Sequence, residues 1–261
     1  VLTRFDNGIS TVNLDTLQEV AHRTMFNPEP TSVLRGRQFL YDANLTSGNG
    51  NDSCASCHIF GDTDGLAWDL GDPSANTSPI PNTFIGISRA AQTLQFHPLE
   101  GPMSTQWMRG LRGHGPMHWR GDRTGSQCFA NPSDPACANQ AFNAFNVAFP
   151  GLIGLESQLS QANMQAFTDF VLRLTYPPNP IRALNNSLSA AAGAGRTLYN
   201  GRTTDTVANC NGCHVLDRAR GLFGTSGGST FENEAMEFKV PHLRNAYQKV
   251  GMFGQPPTEF F

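Results

Sequence analysis

Two five-residue stretches decide how this chain is read: CASCH, from Cys54 to His58, and CNGCH, from Cys210 to His214. The C-x-x-C-H spacing is that of covalent c-type haem attachment, in which two thiols form thioethers and the histidine binds iron. Two residues between the cysteines set both sulfurs along one porphyrin edge, and the next residue projects under the ring. A single C-x-x-C also suits a redox dithiol or half of a zinc site. Two copies, each with an adjacent histidine, favour two haem c groups. One is held by Cys54, Cys57 and His58, the other by Cys210, Cys213 and His214.

The surrounding composition fits a chain organised by bound groups rather than by long regular elements. Charged residues make up 15% of the 261 residues, against about 25% in an average domain, while Gly (26) and Pro (17) are abundant. A net charge of −3 and a pI near 6.2 argue against nucleic acid or an anionic membrane as partner. No apolar run reaches the roughly 20 residues that span a bilayer. The remaining cysteines, Cys128 and Cys137, bracket a turn-rich loop and are expected to form a disulfide in an oxidising compartment. Haem c attachment points the same way, to a periplasmic or extracellular location.

A divergent repeat runs through the chain. GRQFLYD (Gly36 to Asp42) precedes the first haem motif by one helix and a loop, and GRTLYNG (Gly195 to Gly201) precedes the second. An arginine-bearing segment follows each motif, and Arg112 and Arg244 are taken as matching haem-propionate partners because the guanidinium fork suits a carboxylate. Met164, Phe167, Phe170/Val171 and Leu174 recur at helical spacing, with Ser160 as N-cap and Pro177 and Pro178 as stop. A second helical pattern starts near Ser189. The expected organisation is a strand-and-turn segment over 1–30, a first haem domain over 31–178, a Pro/Asn-rich linker over 179–187 and a second haem domain over 188–261. The fold class is mainly α, loop-rich, with two cytochrome c-like domains and a short β segment at the N-terminus. The second domain shows no counterpart of the 160–174 helix, so a longer parent polypeptide or a partner is expected to supply one.

The two motifs followed by VPHLRNAYQ (Val240 to Gln248) resemble the dihaem cytochrome c peroxidase and MauG superfamily, over about Val33 to Gly254. The strings CHIFGDTDGLAWDLG, GPMHWRGDR and FNVAFPG look like the dihaem module of proteins carrying a YVTN-type β-propeller. The N-terminal RFDNGISTVNLDTLQEV is similar to the tail of a propeller blade. The resemblance implies two haem domains with their haems near an interface, and a calcium ion as a further candidate. Asp62, Asp64, Asp69 and Asp72 share one loop, but it lacks the full D-x-D-x-D-G…E spacing, so a solvated acidic loop is the preferred reading over a calcium site.

The resemblance also nominates the second ligand of each iron. Matching Pro116 and Gly121 to the family loop sets His118 at the place of its ligand methionine, with Met117 as runner-up; His97, Met103, Met108 and His114 are weaker candidates. For the second haem Met252 lies closest to the family methionine, with His242 and Met236 as competitors. The metal ligands expected are therefore His58, His118, His214 and Met252. No residue is assigned as catalytic.

Three functions follow as expectations. The first is single-electron transfer between extracytoplasmic redox proteins through two six-coordinate haems. The second is a dihaem peroxidase or MauG-like oxidase with one openable iron, and the third is a homo-oligomeric or multihaem conductive assembly.

Overall fold

The computed structural model describes residues 1–79, 95–96, 98–99, 101–113, 115–123, 135–204, 208–217, 222–223 and 239–249. It opens with an antiparallel meander of β1 (Leu2–Thr3), β2 (Gly8–Val12) and β3 (Glu19–Thr24), in the order β1-β2-β3. Asn7 turns the chain between β1 and β2 at φ 54°, a left-handed conformation that asparagine tolerates better than most residues. β3 is exposed along its whole length.

Helix α1 (Thr31–Tyr41) follows, then the short α2 (Ala43–Thr46) and the one-turn α3 (Cys54–Cys57). Two-residue strands β4 (Ala67–Trp68) and β7 (Met103–Ser104) pair antiparallel, as do β5 (Ser78–Pro79) and β6 (Gln95–Phe96). Next come α4 (Pro135–Asn143), a 3-10 turn over Ala144–Val147, α5 (Ala148–Gly151) and α6 (Gln161–Val171). The second half carries α7 (Ala190–Gly201), the one-turn α8 (Cys210–Cys213) and the pair β8 (Leu216–Asp217) and β9 (Leu222–Phe223).

The core lies in the first half. Ser160 caps α6 by accepting the Asn163 amide at 3.3 Å, and the stripe Met164, Phe167, Phe170 and Val171 is buried. Facing it, α1 buries Gly36, Phe39 and Leu40. Phe167 meets Phe142 edge-on with centroids 5.2 Å apart, and Phe39 and Phe149 surround it at 6.3 and 6.2 Å. Each such fully buried side chain contributes roughly 1.5–3 kcal/mol, so this cluster is what fixes the first motif in space. Cys137 is disulfide-bonded and buried within the same cluster; position 128, its expected partner, lies outside the described residues.

Candidate functional site

Each C-x-x-C-H motif folds as a single helical turn, and the two turns are made alike from different capping residues. Ser53 and Ser56 form a capping box over α3, whereas Asn209 accepts the Gly212 amide at 2.8 Å over α8. The histidine closes each turn by donating its amide to the first cysteine carbonyl, at 2.8 Å in both cases. Backbone angles at the two histidines agree within a few degrees: φ −87°, ψ 64° at His58 and φ −88°, ψ 60° at His214.

A distant backbone carbonyl then fixes each ring. His58 Nδ1 donates to Gln106 O at 2.7 Å, and His214 Nδ1 donates to Pro241 O at 2.6 Å. A carbonyl only accepts, so Nδ1 carries the proton in both rings and Nε2 keeps its lone pair. That is how metal-ligating histidines are generally oriented. Burial holds the His58 imidazole below its ordinary value, in the neutral form a metal needs. Tyr199 adds a hydrogen bond from its hydroxyl to the His214 carbonyl.

The first cysteine pair is not primed as thiolates. Burial pushes the Cys54 thiol up to about 12, and Cys57 is also raised, by burial and then by Asp64 and Asp52. A reactive dithiol or a thiolate metal site calls for the opposite shift. Protonated thiols on one turn beside a neutral imidazole suit covalent haem attachment, and on this chemistry the residues fit that group. Among the described residues no three of His, Cys, Asp and Glu are grouped to hold a metal ion. In the acidic loop, Asp62 pairs with Arg109 at 2.7 Å. Asp64 accepts Leu66 N and Trp68 Nε1, Asp69 accepts Gly71 N, and Asp72 accepts Ser74 N and Oγ.

The two carbonyl straps correct the register of the repeat. Counting from Gln106 and from Pro241, the arginine three residues on is Arg109 in the first half and Arg244 in the second. Arg109, not Arg112, is therefore the counterpart of Arg244. Arg112 is exposed. Arg109 donates Nε to Asp62 and Nη2 to Phe60 O, both at 2.7 Å, and Nη1 to Thr175 O at 3.3 Å. Arg244 lies over the Tyr176 ring, 5.3 Å from its centroid. Sequence matching followed the letters "LR", whereas the structure aligns the two segments by their backbone.

Gln106 and Pro241 also share one cavity of about 50 Å³, lined in addition by Trp107, His118, Lys239 and His242. His118 enters it from a tight loop closed by two hydrogen bonds between Met117 and Arg123. Its backbone is left-handed, φ 73°, which costs a non-glycine residue on the order of 1 kcal/mol or more. The Asp122 carboxylate accepts from His118 Nδ1 at 2.7 Å. Burial would raise Asp122, but the His118 hydrogen bond and the charges of His118, Arg123 and Arg120 outweigh it and hold the acid below its ordinary value. Met117, the competing ligand, is a core residue at 3% exposure, and Met108 belongs to the same core.

His242 is committed at both nitrogens. Its Nδ1 accepts the Arg244 amide at 3.3 Å, so the neutral ring presents its proton on Nε2 to the Tyr176 hydroxyl at 3.2 Å. Lys239 is buried, bonds the Pro116 carbonyl, and is lowered by burial to about 7. Met252, Met236, His97 and His114 lie outside the described residues. Sequence reasoning missed the Gln106 and Pro241 carbonyls, for which no residue type is a signal, and Asp122, which the i, i+4 spacing to His118 could have suggested.

No helix among the described residues is long and apolar enough to cross a membrane. No family model matches the chain. The chain is 25% identical over 203 residues to hydrazine synthase subunit gamma of Kuenenia stuttgartiensis, covering 77% of this chain and 48% of that protein. It thus spans about half the length of the curated relative it matches. In three dimensions it resembles a chain of Kuenenia stuttgartiensis hydrazine synthase pressurised with xenon, with a TM-score of 0.55 at 19% identity over 91% of this chain and 79% of that one. These findings overturn the expected kinship with the dihaem peroxidase and MauG superfamily, its propeller-bearing branch included, and with it the expectation of a free dihaem electron carrier. What the chain is similar to, in sequence and in fold, is a subunit of an enzyme.

Proposed function

We propose that this chain is the haem-bearing part of an enzyme-complex subunit of the hydrazine synthase gamma type. The observation that carries the reading is the duplicated arrangement of motif, histidine and carbonyl. Two cysteine pairs each share a helical turn with an adjacent histidine whose Nδ1 is tied to a backbone carbonyl, leaving Nε2 as the nitrogen a metal would take. Cys54, Cys57 and His58 would hold one haem c, and Cys210, Cys213 and His214 the other. Bound haem iron supplies one-electron redox chemistry.

The chain's own residues do the positioning. The Gln106 and Pro241 carbonyls set the tautomer and tilt of the two histidines. Arg109 ties the turn after the first motif, through Phe60 O and Asp62, to the chain leaving α6 at Thr175. His118, its Nδ1 held by Asp122, lines the cavity and is the described candidate for a second ligand there. Haem c and the Cys137 disulfide support a location outside the cytoplasm, and the likeness to a named subunit supports partner polypeptides as its working context.

The test is production with a c-haem maturation system, followed by intact mass and pyridine haemochrome. Two haems per chain are expected, falling to one when Cys54 and Cys57 are both alanine and to none when Cys210 and Cys213 are replaced as well. A haem-free chain in that system, or one carrying zinc instead, overturns the haem assignment. A native-source protein that migrates as a single polypeptide with no partner overturns the subunit assignment.

A further inference from the structure

The cavity shared by Gln106 and Pro241 is lined by two lysines, Lys239 and Lys249, and no Asp or Glu is among the described residues that line it. Lys239 is 5% exposed and donates its backbone N–H to Trp119 O at 2.9 Å and its ammonium to the Pro116 carbonyl. Lys249 lies over two indoles, with Nζ 5.0 Å from the Trp107 ring centroid and 6.0 Å from that of Trp119. Asp122, the carboxylate behind His118, is already shared with Arg123 at 3.1 Å and Arg120 at 3.8 Å. Burial, and then the charges of Lys239, Lys249 and Arg244, hold His242 well below its ordinary value. A chain of net charge −3 thus concentrates positive potential around one cavity.

Asn245 also lines this cavity at 2% exposure, and its Oδ1 accepts no hydrogen bond among the described residues. A buried acceptor left without a donor costs about 1–3 kcal/mol, so Asn245 favours an occupant that brings one. The lysines favour an occupant with negative charge. Chloride answers the charge but carries no O–H. An oxyanion that bears a proton answers both. We infer that this cavity is a binding site for a small protonatable oxyanion, held between Lys249 and Asn245, with Lys239 adding charge. The chemistry is that of a carboxyl group, and two sources supply it: a free ion such as bicarbonate, or a propionate of one of the proposed haems. The second source rests on the haem assignment, and the first does not.

The test titrates the full haem-bearing chain by calorimetry, in chloride-free buffer, with sodium bicarbonate and separately with sodium chloride. If the site is open to solution, bicarbonate binds saturably and more tightly than chloride. Lys249→Met is then expected to weaken bicarbonate at least ~10-fold, and Lys249→Arg to retain it. Asn245→Leu is expected to remove the preference over chloride, which a merely structural role would not do. Circular dichroism and the haem count show that each variant is folded. If a propionate fills the site, neither salt binds. Haem isotopically labelled at its propionate carboxyls then shows an infrared carboxyl band that moves in Lys249→Met and not in Lys249→Arg. The inference is overturned by bicarbonate binding that Lys249→Met leaves unchanged, or by equal binding of the two salts. It is also overturned if neither salt binds and the labelled band is the same in all three proteins. A haem-free chain sinks the haem assignment alone, because the bicarbonate titration still decides whether the site exists.

Discussion

Gly36 of α1 faces the carbonyl of Ala166 in α6 so closely that no β-carbon fits between the two helices. The crossing holds α1, the core and, through the short connection to α3, the first cysteine pair in one rigid piece. Gly36→Val must push two backbones apart, and overpacking of this kind costs about 1–3 kcal/mol. Chemical denaturation should show that loss, whereas Gly195→Ala in the open α7 should be neutral or slightly stabilising.

Gly110 makes a second close approach, at φ 72°, with the Tyr176 ring 2.0 Å from its β-carbon position. Gly110→Ala combines left-handed strain with a collision against a ring that also supports Arg244 and His242. A destabilisation of roughly 2–4 kcal/mol is expected in thermal melts. Tyr176→Leu in the same background should recover part of it by removing the ring.

Asp122 stabilises the fold in its charged form, since the folded protein holds it below its ordinary value of 3.8. For a depressed acid the contribution is present above that value and is lost as pH falls through the folded one. Asp122→Asn should therefore cost about 1.5–3 kcal/mol at neutral pH and very little in strong acid. Urea midpoints at pH 7 and pH 3 for both proteins check the sign.

Lys239 works in the other direction. Burial lowers it from 10.5 to about 7, so between those values the unfolded chain binds more protons and stability rises with pH. Below about 7 both states are charged and the penalty is constant. Relative to Lys239→Met, the wild-type protein should gain up to about 1.4 kcal/mol per pH unit across that window, read as a wild-type melting temperature that rises with pH against that of the variant.

Local order was legible and long-range register was not. Ser160 and Ser189 announce α6 and α7 because a serine before an apolar stripe accepts an amide one turn on, and both do so. The stripe Met164, Phe167, Phe170 and Val171 declares its buried face by period alone. Nothing in the letters shows that Gln106, 48 residues downstream, holds His58, and hence that Arg109 rather than Arg112 pairs with Arg244. His118 in a left-handed turn is equally silent, since glycine or asparagine is what that conformation leads one to look for. The unequal burial of Phe39 and Leu198 reflects α6 lying against α1, with no counterpart against α7 among the described residues, and a repeat read as text looks symmetrical.

One consequence of the two straps concerns how such a site drifts over time. The grip on each imidazole is a peptide oxygen, which every amino acid possesses, and this chain uses glutamine in one half and proline in the other. Side-chain replacement at 106 or 241 leaves that oxygen in place, so these positions are free to wander while the histidines stay oriented. Only an insertion or deletion that slides the strap along its histidine would undo the hold.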